Sequence, residues 1–88
     1  SYHEIKGTSA SMRLDCILSL SLGISRGKAA AVISSGTVEV NYKAVNSPAF
    51  NMKQGDIFSA RGYGKFRVEE ISGISKKGRL HIIVQKYC

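Results

Sequence analysis

The sequence predicts an α+β domain: two short N-terminal helices packed on a small antiparallel sheet of about five strands. Three observations lead there. Apolar residues between positions 14 and 33 recur at a spacing of three to four, the period changes to two from Thr37 onward, and no helix-length segment separates the later strands. The last point excludes a βαβ chain with a parallel sheet.

Ser11 can cap the first helix, expected over roughly 12–21, in which Leu14, Ile17, Leu18 and Leu22 form one apolar face and Gly23 supplies the stop. Ser25 is a natural N-cap for the second, expected over roughly 26–35, with Ala29, Val32 and Ile33 buried and Gly36 in the left-handed position that ends it. Val38 and Val40 then alternate with Thr37, Glu39 and Asn41, and a turn at Asn41-Tyr42 leads into Lys43-Ala44-Val45, which makes a tight hairpin. Pro48 breaks pairing and Gly55-Asp56 is a turn. Three further strands are expected: Ile57 to Arg61, Lys65 to Val68, and Leu80 to Gln85 after a Ser72-Gly73 turn and a basic loop. Residues 1–10 show no period and read as a leader or linker, which leaves 11–88 as the domain.

At 88 residues the chain is one domain with a modest core. Its composition, 43% hydrophobic and 22% charged with one proline, is that of a globular protein. Thirteen Lys and Arg against six Asp and Glu give a net charge of +7, which favours a polyanionic partner, nucleic acid ahead of an anionic membrane. The balance is zero over residues 1–24, +2 over 25–60 and +5 over 61–88. Cys16 and Cys88 have neither a zinc-site spacing nor enough company for a disulfide scaffold, so a reducing, intracellular setting is expected. No apolar run approaches the length of a membrane span, and residues 1–12 do not form a signal peptide. A start at Ser1-Tyr2 without Met suggests a fragment of a longer chain.

Two constellations put cations beside helix starts: Arg13-Leu14-Asp15 and Ser25-Arg26-x-Lys28. Free backbone N–H groups and the positive dipole end favour a phosphate at such places. The plainer alternative is that Arg13 pairs with Asp15 while Arg26 and Lys28 are ordinary solvated charges. The hairpin tip adds Asn41, as a turn former or a contact, and Lys43, which is freer to reach a phosphate. Further on, alternation places Lys65 and Arg67 on one strand face, with Phe66 and Val68 on the other and Arg61 just before them. That face is either solvated or an extension of the footprint. Tyr63 reads as a packed turn aromatic, and Lys76-Lys77-Gly78-Arg79 as a solvated hairpin tip or a second phosphate contact.

Catalysis finds little support. His3 and His81 lack a neighbouring nucleophile and carboxylate, Glu69 and Glu70 should point to opposite faces of a strand, and Gly62-Tyr63-Gly64 is not a phosphate loop. Cys16 falls off the helix-one stripe, which suggests partial exposure, but no activating base accompanies it. No cofactor or metal site is expected.

Taken in order, Arg13-Leu14-Asp15, Ser25-Arg26-x-x-Ala29, Ile33-x-x-Gly36-x-Val38-x-Val40-Asn41, Pro48 and Gly55-Asp56-Ile57 resemble the RNA-binding S4 domain over about residues 12–60. The stretch Arg61 to Phe66 and the loop Lys76 to Arg79 are further similar to the C-terminal S4 domain of the YlmH-type bacterial and plastid proteins. This resemblance implies helices packed on the sheet and an RNA-facing surface made by the helix starts and the hairpin. It puts candidate contacts at Arg13, Ser25, Arg26, Lys28, Asn41 and Lys43, with Arg61, Lys65 and Arg67 as an extension. Asp15 would orient Arg13, since a carboxylate beside phosphate is repelled. Tyr42 departs from the glycine many relatives carry after the Asn, and offers an aromatic face for a base.

Many cations with few presented aromatics point to structured RNA. The resemblance implies ribosomal RNA or ribosome-bound tRNA, and the ribosome itself, as partners of a monomeric, non-catalytic module. DNA and membrane are not expected partners. The module would form the C-terminal domain of a larger protein in the bacterial cytoplasm, or in a plastid. Family relatives are linked to ribosome-associated quality control and to cell division. The alternatives are an RNA-targeting accessory domain of an RNA-modifying enzyme such as a pseudouridine synthase, and a basic protein-interaction domain without RNA affinity.

Overall fold

The computed structural model describes residues 1–88. Helix α1 spans Leu14–Leu22 and α2 spans Arg26–Ser34. Leu14, Ile17 and Leu18 of α1 are fully buried, as are Ala29 and Ile33 of α2, in agreement with the apolar spacing. Gly23 ends α1 at φ 67°, its N–H bonded to Ser19 O at 3.0 Å. The chain then turns so sharply that the two helices meet at 112°. Neither helix is long and apolar enough to cross a membrane. Ser25 starts α2 as its N-cap, the hydroxyl accepting from Lys28 N at 3.1 Å.

Six strands form one antiparallel sheet in the order β1-β6-β5-β4-β2-β3: β1 Tyr2–Ser9, β2 Val38–Val40, β3 Lys43–Ala44, β4 Ile57–Ala60, β5 Gly64–Ile74 and β6 Leu80–Tyr87. The inner face carries Val38, Val40, Phe58, Ala60, Phe66, Val68, Ile82 and Val84, all buried in one cluster with the helix residues. Phe58 and Phe66 stack across β4 and β5 with ring centroids 5.2 Å apart. Burying a side chain of this size stabilises by roughly 1.5–3 kcal/mol, so these rings anchor the helices to the sheet.

The α+β class holds, with one strand more than expected. Residues 2–9, expected as a leader, are strand β1, paired with β6 from Tyr2 opposite Tyr87 to Ser9 opposite Leu80. Only Ile5 is a large apolar residue on the inward side of β1, which is why no period betrays the strand. Gly7 lets β1 lie close to α1: a Cβ there would stand 2.5 Å from Leu20 Cδ1.

The expected Ser72-Gly73 turn is also corrected. Strand β5 runs on to Ile74, the tip falls at residues 75–79, and β6 continues to Tyr87. An irregularity between Val68 and Glu70 inserts an extra residue in β5. Glu70 thereby faces Ile83, on the outer side, and Glu69 lies 3.9 Å from Arg67. The two acids share the outer side instead of straddling the strand, because a bulge resets the alternation.

The long connection from Val45 to Asp56 packs over the head of α1. Met52, not foreseen as a core residue, is 1% exposed, and its N–H donates to Met12 O at 2.7 Å.

Candidate nucleic-acid interface

The site is built around a buried carboxylate. Asp15, in the first turn of α1, is 4% exposed. Arg13 donates to both its oxygens, Nε to Oδ1 at 3.1 Å and Nη2 to Oδ2 at 3.0 Å. Arg26, the first residue of α2, places Nε 3.5 Å from the same Oδ2. One carboxylate thus ties together the heads of both helices and holds two guanidiniums whose outer parts remain in solvent.

The electrostatics follow from this arrangement. The hydrogen bonds from Arg13 hold the Asp15 carboxyl below the ordinary carboxylate range, against the opposing effect of burial, and the charges of Arg26 and Arg13 add to the lowering. The same pair raises the Arg13 guanidinium. Two half-exposed cations against one buried anion leave a net positive surface, so Asp15 can orient both arginines without cancelling their attraction for phosphate.

The expectation of open N–H groups at both helix starts holds for only one of them. At α1, Leu14 N donates to Phe50 O at 2.8 Å and Asp15 N to Pro48 O at 3.0 Å, so the loop over the helix head consumes these donors. At α2, Ser25 satisfies Lys28 N, and the N–H groups of Arg26 and Gly27 have no intrahelical acceptor. The α2 start therefore keeps its attraction for an anion, with Lys28 exposed beside it.

The hairpin tip has its own logic. Asn41 and Tyr42 both take positive φ, 50° and 68°, as a right-twisted two-residue turn requires. Asn41 is tied inward, Oδ1 accepting from Ile57 N at 3.1 Å and Nδ2 donating to Asp56 Oδ1 at 3.0 Å. It shapes the tip with both ends of its amide. Lys43, Lys28 and Arg61 have no carboxylate partner and stand in solvent.

On the outer face of the sheet, the Lys65 ammonium sits between two rings, 5.0 Å from the centroid of Tyr42 and 5.2 Å from that of Tyr87. The Tyr42 side chain holds this ammonium above the ordinary lysine range, with a smaller contribution from Tyr87. Arg61 and Lys65 border a cavity of about 410 Å³ that also includes Glu39. Acids are thus interleaved with the outer cations across strands, more than the linear order of residues 61–68 suggested. Tyr63 packs against the core, as expected.

Cys16 is 7% exposed, which corrects the expectation of partial exposure; Ser11 Oγ lies 3.6 Å from its sulfur. It is buried because β1, unforeseen, flanks α1 on that side. No three of the His, Cys, Asp and Glu side chains converge on a point where they could hold a metal ion. The most notable omission is Arg79, which reaches back to β1: Nε donates to Thr8 Oγ1 at 3.0 Å and Nη2 to Thr8 O at 3.2 Å. No local signal could have found this link, since its partner lies 71 residues away in a strand that has no visible period.

Two helices with tied heads, a hairpin following directly and a largely antiparallel sheet define an RNA-binding module of S4 type, and the S4 domain family model matches residues 12–58. The chain belongs to the S4 domain family. It is also similar to ribosome-associated protein quality control protein P2 of Bacillus subtilis (strain 168), with 32% identity over 79 residues. That alignment covers 90% of this chain and 31% of the relative, so the chain spans less than a third of the relative's length.

Proposed function

We propose that this domain is a non-catalytic module that docks a larger, YlmH-like protein on structured RNA, either ribosomal RNA or tRNA held on the ribosome. The observation that carries the reading is the Asp15 carboxylate holding Arg13 and Arg26 at the adjoining heads of two helices. Guanidiniums fixed in this way lose less freedom on meeting a phosphate than free side chains do. Lys28 and Lys43 add unpaired cations, and the Ser25 hydroxyl, which accepts from Lys28 N, retains its own hydrogen for a phosphate oxygen. Asn41 contributes by setting the hairpin tip. Arg61, Lys65 and Arg67 extend the positive surface along β5, where the aromatic and acidic neighbours of Lys65 and Arg67 make them weaker anchors.

The similarity to a ribosome-associated quality control protein supports a ribosomal partner. Few aromatic side chains are presented near the helix heads, which favours recognition by shape and phosphate over reading of bases. Crosslinking the full-length parent in cells and sequencing the attached RNA tests the proposal. Enrichment of ribosomal RNA or tRNA segments is expected; crosslinks spread over messenger RNA, or none above background, would contradict it.

A further inference from the structure

A cavity of about 320 Å³ lies between the end of β1, helix α1 and the head of α2, bordered by both Arg26 and Arg79. No carboxylate lines it. Each guanidinium is held from behind, Arg26 by Asp15 and Arg79 by the hydroxyl and carbonyl of Thr8. Arginine carries five N–H donors, and Arg79 spends two, so donors on both side chains remain for a ligand. The hydroxyl hydrogens of Ser9 and Ser19, also in the lining, are committed to the carbonyls of Ser11 and Ile24. The guanidiniums are therefore the principal donors, and Thr8, whose oxygen accepts from Arg79, still has its hydroxyl hydrogen to give.

Two guanidiniums held in place around a cavity free of acids suit a tetrahedral oxyanion, which accepts forked N–H donors from more than one side. We propose that this cavity is a phosphate site that seats one phosphodiester of the bound RNA between Arg26 and Arg79. The inference rests on the RNA-binding reading and deepens it. Residues 12–58 carry Arg26 alone, whereas the β1 strand and the β5–β6 hairpin bring Arg79 to it. The hairpin tip, with Lys76 and Lys77, would then lie along the RNA beyond that phosphate, giving the C-terminal charge a defined place in the footprint.

The test compares the full chain with Arg79→Ala, Arg26→Ala, their double variant and Lys28→Ala, measuring affinity for a structured ribosomal RNA fragment across a salt series. Arg79→Ala should weaken binding and lower the salt slope by about one. The double variant should lose clearly less than the product of the two single losses, because both side chains grip one phosphate. Thr8→Val, which breaks the side-chain tether but keeps the charge, should weaken binding less than Arg79→Ala; melting midpoints taken alongside separate a folding defect from a lost contact. Full RNA affinity in a folded Arg79→Ala variant overturns the site, while weakening by Lys28→Ala in the same series leaves the RNA-binding reading intact. Additive losses overturn the shared phosphate. Titration with inorganic phosphate, followed through the amide resonances of Ser9 and Ser19, separates the sources: saturable shifts with RNA affinity independent of Arg79 would assign the cavity to a small free anion and overturn the RNA contact.

Discussion

Arg26 Nε stands 3.5 Å from Asp15 Oδ2, across the bend between the two helices. A residue at the start of α2 is thus fixed by a carboxylate at the start of α1, which Arg13 already clasps from the other side. The corner between the helices is both a packing feature and the frame on which two cations are mounted.

Asp15→Asn tests that frame through stability. A carboxylate whose pKa is lowered in the folded state stabilises the fold above its unfolded pKa, about 3.9, and that contribution is lost as pH falls through the folded value. At pH 7 the variant should lose about 1–3 kcal/mol, the size of a hydrogen-bonded charged contact, and should show a shallower loss on acidification than wild type. Urea denaturation at neutral and acid pH measures both. Equal stability at pH 7 would mean that the carboxylate does not organise the corner.

Leu18→Ala or Ile33→Ala should each cost about 2–5 kcal/mol, because both side chains are fully buried between helices and sheet. Phe58→Ala should cost about 3–5 kcal/mol, since it also removes the stacked partner of Phe66. Chemical denaturation midpoints at unchanged slope check these values.

Ser25→Ala removes the hydroxyl that accepts from Lys28 N and should destabilise by about 0.5–2 kcal/mol. Amide exchange should quicken first at Lys28 and its neighbours in α2. Uniform quickening over the whole chain would argue against a local cap.

Two opposing effects meet at Tyr42. Replacing it with glycine relieves a left-handed backbone that costs about 1–2 kcal/mol, and removes a cation–π contact worth about 0.5–1 kcal/mol. Tyr42→Gly should therefore change stability by no more than about 1 kcal/mol, while the Lys65 ammonium falls back toward the ordinary lysine range. Titration of the Lys65 side chain by NMR reads the second effect directly.

Both helices were legible in the sequence because each combines an apolar stripe with a start or stop signal, as at Ser25 and Gly23. The β2–β3 hairpin was legible from its period-two valines and from Asn41 at the tip. Strand β1 was not, since His3, Gly7 and Ser9 share its inward side with Ile5 and the pairing that creates it joins opposite ends of the chain. The same distance hid Arg79, whose partner is on β1. The candidate cations at the helix starts could be named in advance. Which start stays open depended on the carbonyls of Pro48 and Phe50, contributed by a loop with no repeating pattern.

The most direct measurement is the salt dependence of binding to a structured ribosomal RNA fragment, for wild type and for Arg26→Ala with Lys28→Ala. If the head of α2 meets phosphates, the double variant should bind more weakly across RNA sequences, with a salt slope lower by about one for each cation removed. Unchanged affinity and an unchanged slope at moderate salt would contradict an RNA surface at this place.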